Sequence, residues 1–407
     1  MRALSWATVL SAVASFAVVL LAPHALPTHE VSQFQAMWGF FFTLTGLIDG
    51  LQHETTRATS APTKNRVSDF KKGTFLPQPG SYLLFRTATL LAVILILLAL
   101  ATSPWWFRAL VPDAPHPLFV ALGTAMALAL YVGQSVLLGT LSGARLWSHY
   151  AAITAIDAAI RLILAAVALL MGWGLGAFIL ITLIGPITWL PFLLSKKGRE
   201  SLRRPIDVGA KEFARRLGFA LLASGATAAL INGFSAATRA WGTEGSIPMA
   251  AIIMAVLLAR SPIIIPAQRF QAMLINFIAR GTSSRRKISA KNLIILLLCL
   301  SGLVILGAAI GPWFMVLLWG ADYHVPALVI AGVIVGAIIQ GLLFITGSRA
   351  LARAEHARYC AGWVVATILC FVIIALPWES SITVPCGMII GPAIGVLIHS
   401  LGGTRAK

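Results

Sequence analysis

The chain has 407 residues, of which 58% are hydrophobic and 11% are charged, and its mean hydropathy is +0.89. Soluble globular proteins carry about a quarter charged residues, so this composition excludes an ordinary soluble domain. The formal net charge of +18 would suit nucleic acid, but the Lys and Arg residues sit in short segments between apolar stretches. In that placement they orient membrane helices and touch anionic lipid, and nucleic acid is not an expected partner.

About twelve apolar segments follow one another along the chain, and each is long enough to cross a bilayer as a helix. The first could instead be a secretory signal, because Arg2 precedes an apolar run; its counterpart in the second half cannot be one. The fold class expected is therefore an all-α polytopic membrane protein. The predicted helices are 4–25, 32–51, 81–101, 117–138, 149–171, 175–194, 213–239, 247–265, 292–318, 325–345, 359–376 and 382–401.

The second half of the chain resembles the first at an offset of about 208 residues. The matching pairs are Pro104-Trp105 with Pro312-Trp313, Pro117 with Pro326, and Tyr150 with Tyr359. Each half has six predicted helices in the same orientation, so we predict two parallel repeats around a central cavity. The predicted divisions are an N-terminal bundle (1–195), a basic cytoplasmic linker (196–212) and a C-terminal bundle (213–407).

The distribution of the 31 Lys and Arg residues predicts the orientation. Most of them fall on one side if the N-terminus is cytoplasmic. Both termini are therefore expected in the cytoplasm, in a multi-pass protein of the cytoplasmic membrane. The residues outside this pattern are Arg86, Arg108, Arg161, Arg239 and Arg260.

Motifs for catalysis or metal binding do not stand out. The sequence has no phosphate-binding loop and no nucleophile elbow, and Arg57 stands where a zinc motif opening at His53-Glu54 would need its second histidine. The four cysteines have no metal-ligand spacing. We therefore expect no enzyme activity, no cofactor and no metal site.

Ionisable residues inside apolar segments are the candidates for function, because a charge at the centre of a membrane helix costs about 2.5–3.5 kcal/mol. Asp157 and Arg161 are four residues apart and share one helix face. They could be a neutral pair that only holds the bundle together. Alternatively, Asp157 orients Arg161 or takes a proton, while Arg161 contacts an anionic substrate.

Three more ionisable residues are candidates. Arg260 precedes Pro262 and Pro266, which are predicted to interrupt the helix, and its planar donors suit a phosphate; the alternative is an anchor that extends to the interface. Asp49 lies between Gly46 and Gly50 and is predicted as a helix cap or as a gate or proton site. Arg86 is predicted as an interface anchor or a substrate ligand.

The segment GPWFMVLLWGADY at 311–323, its Gly320-Ala321-Asp322-Tyr323 turn and the Gln-containing helix that follows resemble the polysaccharide flippases. These belong to the multidrug/oligosaccharidyl-lipid/polysaccharide exporter superfamily. The resemblance implies movement of a polyprenyl-diphosphate-linked glycan from the inner to the outer leaflet for cell-surface polysaccharide assembly. It also implies a cationic cavity for the diphosphate, for which Arg161, Arg260 and Arg86 are the candidates.

Two other functions are compatible with the sequence. One is a cation-coupled multidrug exporter of the same superfamily, which would use Asp157 or Asp49. The other is a non-transporting scaffold that recruits glycan-assembly enzymes through its basic loops. The partners expected are a polyprenyl-linked glycan and anionic membrane lipid, with glycan-assembly enzymes as a further candidate, and the chain is expected to be a monomer.

Overall fold

The computed structural model describes residues 2–60, 80–202, 206, 209–279, 290–353 and 355–401. These residues are helical almost throughout, with one isolated bridge between Thr243 and Glu379 and no strand among them. Within the described part of the chain, nine helical segments are long and apolar enough to cross a membrane. The expectation of an all-α polytopic membrane protein is confirmed.

The chain forms two compact units by its internal contacts. Unit 1 comprises Met1–Leu26 and Phe40–Ala228, and unit 2 comprises Pro27–Gly39 and Ala229–Lys407. Of the predicted linker, residues 203–205, 207 and 208 lie outside the described residues. The division into two six-helix repeats with that linker stays a prediction.

Nine helices supply unit 1: α1 (Arg2–Ala25), α2 (Thr28–Thr59), α3 (Gly80–Ala101), α4 (Ser103–Leu110), α5 (Pro117–Gly143), α6 (Trp147–Leu170), α7 (Leu175–Ile184), α8 (Lys196–Leu202) and α9 (Ala210–Ile231). Helix α1 lies along α6, where Ser11 Oγ donates a 3.1 Å hydrogen bond to the Thr154 carbonyl, and α3 lies along α5. Two 3₁₀ turns, Gly185–Ile187 and Leu190–Leu194, follow α7.

Unit 2 holds the first turns of α2, the end of α9 and six further helices. These are α10 (Gly233–Trp241), α11 (Met249–Ala279), α12 (Ala290–Trp319), α13 (Ala327–Ala352), α14 (His356–Ile374) and α15 (Ser380–Ser400). Helix α13 packs against α11, α12 and α15, and α15 also packs along α14. A 3₁₀ turn, Ala321–Tyr323, connects α12 to α13.

Glycines set the close approach of α15 to α14. A Cβ placed at Gly391 would lie 2.5 Å from the carbonyl oxygen of Ala366, and one at Gly395 would lie 2.7 Å from that of Gly362. Small residues at such spacing let two helix backbones meet, which is how membrane helices associate without a hydrophobic driving force between them. The glycines therefore fix the packing of unit 2.

Three predicted helices differ from the structure. The segment predicted as one helix over 175–194 is α-helical only to Ile184 and continues as two 3₁₀ turns. The segment predicted as one helix over 213–239 is broken at Asn232, between α9 and α10, because Asn followed by Gly favours a helix end. Conversely, α11 continues through Pro262 and Pro266, so the prediction that these prolines interrupt it was wrong. Membrane helices tolerate a proline because neighbouring groups and local adjustment satisfy the carbonyl that it leaves unpaired.

Candidate functional site

A buried ion pair lies on α6 in unit 1. Arg161 Nε is 3.2 Å from Asp157 Oδ1, and the Arg161 residue is 3% exposed. Its guanidinium also lies over the ring of Phe42 on α2, 4.9 Å from the ring centroid. Since the pair is four residues apart on one helix, the structure confirms the predicted contact. It leaves open whether the pair only holds the bundle or also binds substrate.

Gly185, the first residue of the 3₁₀ turn after α7, lies directly against this pair. A Cβ built there would overlap both the Arg161 guanidinium and the Asp157 carboxylate. The turn follows because Pro186 disfavours continuation of the regular helix. A residue without a side chain therefore lets the chain pass over the charged pair and bury it.

A second polar pair connects α5 to α2. The Tyr131 hydroxyl donates a 2.8 Å hydrogen bond to Asp49 Oδ1, and Tyr131 also lies within electrostatic range of Asp157. Asp49 is seven residues after Phe42, so both occupy one face of α2. Asp49, Tyr131, Asp157, Arg161 and Phe42 therefore form one cluster, which we call the unit 1 polar cluster.

The glycines that flank Asp49 pack against α9. A Cβ at Gly50 would lie 2.5 Å from the backbone nitrogen of Leu221, and one at Gly46 would overlap the side chain of Ala228. The predicted close helix approach at this spacing is confirmed. Asp49 is thus held by backbone packing on one side and by Tyr131 on the other, and is not a cap at the helix end.

The unit 1 polar cluster contains two carboxylates, one phenol and one guanidinium. Asp49 contacts the Tyr131 hydroxyl and Asp157 contacts Arg161, so each carboxylate has a polar neighbour and either could carry a negative charge or hold a proton. Protonation of Asp157 would weaken its attraction to the guanidinium.

Arg260, on α11 in unit 2, is 7% exposed. Its Nη2 donates a 3.2 Å hydrogen bond to the Leu230 carbonyl, and the guanidinium lies 5.7 Å from the centroid of the Phe234 ring. Leu230 is in the last turn of α9, where helix carbonyls lack intrahelical partners. Because α9 ends at the break next to Asn232, the Leu230 carbonyl is available to Arg260, and Phe234 follows the break on α10.

No carboxylate pairs with Arg260 among the residues that the structure describes. A guanidinium has five N–H donors, and the contacts within this part of unit 2 account for one of them. The side chain does not extend to the protein surface as an interface anchor would. Among the described residues, Arg260 is therefore a buried cation whose guanidinium makes one hydrogen bond.

Arg86 lies on α3, where its side chain is exposed. None of the contacts among the described residues joins it to the unit 1 polar cluster. Sequence reasoning had missed Tyr131 and Gly185. A hydroxyl in the middle of the apolar segment 117–138 was the available signal for Tyr131, because a buried hydroxyl requires a partner.

Similar proteins come from mycobacteria. The chain is 30% identical over 401 residues to the protein Mb3654 of Mycobacterium bovis, covering 98% of this chain and 90% of that one. It is 29% identical over 401 residues to Rv3630 of Mycobacterium tuberculosis, with the same coverage, and 28% identical over 396 residues to Rv1510 of that species, with 97% and 89% covered. No protein-family model matches the sequence.

Solved structures with this fold are transporters. The inward-closed structure of the lipid II flippase MurJ has a TM-score of 0.68 at 12% identity, covering 100% of this chain and 88% of that one. An inward-facing multidrug resistance MATE family transporter of the MOP superfamily has a TM-score of 0.67 at 13% identity, covering 97% and 96%. A MOP superfamily transporter of Pyrococcus furiosus, described as having a binding pocket of reverse polarity, has a TM-score of 0.59 at 14% identity, covering 98% and 94%. The fold is thus similar to that of these transporters, two of which are MOP superfamily members, as the sequence resemblance had implied.

Proposed function

Because the chain belongs to the family of Mb3654 of Mycobacterium bovis and has the MOP superfamily fold, we propose that it is a transporter of the cytoplasmic membrane. Its proposed substrate is a polyprenyl-diphosphate-linked saccharide, which it moves from the inner to the outer leaflet by alternating access. The MurJ likeness supports this class of substrate at the level of the fold. We propose that both termini lie in the cytoplasm, because most of the Lys and Arg residues then fall on that side.

The observation that carries the proposal is the environment of Arg260. A buried guanidinium is costly, and in membrane proteins it usually faces a partner or a substrate path. Arg260 has a backbone carbonyl and an aromatic face beside it. Its remaining planar donors match the oxygens of a diphosphate, which a guanidinium can bind in bidentate fashion.

Arg161 offers a second and reversible contact. In the structure its partner is Asp157, so an anionic substrate would have to compete with that carboxylate. Protonation of Asp157 would weaken its attraction to Arg161 and favour the contact of Arg161 with the substrate, and loss of the proton would favour substrate release. Asp49 is placed in the same cluster by Tyr131, and we propose it as a second coupling or gating group. We assign substrate binding to Arg161 and Arg260, and to Arg86 only as a peripheral contact on α3.

The test is to deplete the protein in cells and to measure polyprenyl-linked saccharides by mass spectrometry, together with the leaflet in which they reside. We expect one species to accumulate on the cytoplasmic side. Complementation with Arg260→Gln and Arg161→Gln should fail, whereas the matched Arg108→Gln, which changes an exposed arginine on α4, should restore transport. If no lipid-linked saccharide changes on depletion, the proposal is wrong.

A cation-coupled multidrug exporter is the second candidate, and the two carboxylates of the unit 1 polar cluster favour it. Asp49 and Asp157 could bind a proton or a cationic drug, since each is partly buried and contacts one hydrogen-bonding or charged partner among the described residues. The drug susceptibility of a deletion strain separates the two functions. Increased susceptibility that Asp157→Asn fails to complement, without any change in lipid-linked saccharides, would favour drug export.

A further inference from the structure

A lateral groove in unit 1 has the features of a binding site for a single membrane lipid. It has a volume of about 830 Å³ and lies between α3, α5 and the segment from the second 3₁₀ turn to α8. Apolar and aromatic side chains form most of it, among them Phe85, Ala92 and Val136, and Arg199 is the one charged residue among the described residues that line it. We call it the lateral groove, and we propose that it binds one anionic phospholipid.

The dimensions of the groove match one leaflet. Its lining on α3 runs from Tyr82 to Ala92, which at 1.5 Å per residue is about 15 Å along the helix. Half of a hydrocarbon core of about 30 Å is the same length. An acyl chain that lies against α3 from Tyr82 to Ala92 would therefore span the hydrocarbon thickness of one leaflet.

The ends of the groove differ in the way that a phospholipid requires. Arg199 is on α8, which meets α5 near the C-terminal end of α5, where the Thr140 and Ser201 hydroxyls are 3.4 Å apart. Tyr82 and Trp189 also line the groove, and Tyr and Trp are the residues enriched at headgroup depth. Lys196 and Lys197 precede Arg199 on α8, against a single acid, Glu200. This excess of positive charge favours an anionic headgroup, on the side that the distribution of Lys and Arg predicts to be cytoplasmic.

The floor of the groove is fixed by packing. A Cβ at Gly133 would lie 2.5 Å from the Trp189 ring, so the indole rests directly on the backbone of α5. On the opposite wall, Phe85 is 71% exposed and leaves the groove open to the surroundings of the helix. A cavity of about 340 Å³ in unit 2, between α11, α12 and α13, has no charged residue in its described lining. Of these two cavities, the lateral groove is the one with a charged residue in its described lining.

Quenching of Trp189 fluorescence by brominated lipid tests the proposal. The purified full chain is placed in phosphatidylcholine nanodiscs that contain a small fraction of phosphatidylglycerol with a brominated acyl chain. We expect the quenching to have a saturable component, and this component should be absent in Trp189→Phe. Arg199→Gln should weaken binding about fivefold, as expected for one charge at the surface, whereas the control Lys211→Gln, which changes an exposed lysine on α9 outside the lining, should have a much smaller effect. Ala92→Phe, which fills the groove, should abolish the saturable part.

Several results would overturn the proposal. Equal Trp189 quenching by brominated phosphatidylcholine would show that the headgroup charge is not recognised. Quenching that is unchanged in Arg199→Gln, or that does not depend on Trp189, would show that the lipid lies elsewhere. Displacement of the brominated lipid by an equal amount of polyprenyl phosphate would assign the groove to an isoprenoid chain. Because this assay measures binding and not transport, its outcome is independent of the proposed function.

Discussion

The hydroxyl of Tyr131 donates a hydrogen bond of 2.8 Å to Oδ1 of Asp49, and this bond joins the middle of α5 to α2. Placing an acid inside an apolar helix costs free energy if the acid has no partner. The hydrogen bond from the Tyr131 phenol offsets part of that cost for Asp49. The two residues are 82 positions apart in the chain. The bond thus depends on the packing of unit 1 as a whole.

We predict that Tyr131→Phe lowers the free energy of unfolding by about 1–3 kcal/mol, because it leaves the Asp49 carboxylate without its hydroxyl donor. Thermal unfolding of the purified protein in detergent measures this loss. Tyr82→Phe removes the same hydroxyl from a side chain that is 64% exposed and should leave the unfolding temperature unchanged. Equal effects of the two substitutions would argue against a stabilising role for the Tyr131–Asp49 bond.

Gly185→Ala should be strongly deleterious for so small a change. The added methyl group would overlap the Arg161 guanidinium and the Asp157 carboxylate, so the 3₁₀ turn or the ion pair must move, at a cost of about 1–3 kcal/mol. We expect a lower unfolding temperature and loss of transport. The control is Gly218→Ala on α9, where a Cβ meets no atom within 4 Å; it should be neutral or slightly stabilising because alanine favours helix. A fully active Gly185→Ala variant would contradict the close packing.

Contacts within one helix could be predicted from the sequence, and those between helices could not. The Asp157–Arg161 pair follows from a spacing of four residues on a helix that the apolar pattern indicates. Nothing local to Tyr131 names Asp49 as its partner, because a hydroxyl in an apolar segment indicates only that some partner is needed. The close contact of Gly185 likewise depends on α6, which comes earlier in the chain, so the sequence around Gly185 does not indicate it.

Arg260 shows a different limit. Its depth in an apolar segment and the lack of a nearby acid in sequence indicated an unpaired cation. Its actual contacts depend on the break at Asn232, which exposes the Leu230 carbonyl and turns Phe234 toward the guanidinium. The predicted interruption at Pro262 and Pro266 was wrong because apolar periodicity and proline content do not reveal whether neighbouring groups can satisfy one unpaired carbonyl.

The Asp157–Arg161 pair should show coupling in a double-mutant cycle. Arg161→Gln alone leaves a carboxylate buried without its cation, and Asp157→Asn alone leaves the guanidinium without its anion; each should be destabilising by about 3–5 kcal/mol. The double variant should lose less than the sum of both, with a coupling energy of about 0.5–3 kcal/mol. Free energies of unfolding in bicelles supply the four corners of the cycle. Strict additivity would mean that the two charges do not stabilise each other in the folded protein.

Arg260→Met should separate stability from function. Methionine is apolar and of comparable length, and it relieves the cost of a buried guanidinium that has no acid beside it in the described part of unit 2; replacing buried charge by apolar side chains is often neutral or stabilising. We therefore expect an unfolding temperature equal to or above that of the unchanged protein, together with loss of transport in the depletion and complementation assay. Arg260→Lys keeps the charge but lacks the planar donors that bind phosphate oxygens in pairs, so it should restore transport only weakly.

An unstable Arg260→Met protein would indicate that the guanidinium serves mainly to tie α11 to the end of α9, and a stable, fully active one would remove Arg260 from the substrate path. A residue kept at a cost to stability and required for transport is what a binding site for an anionic substrate predicts.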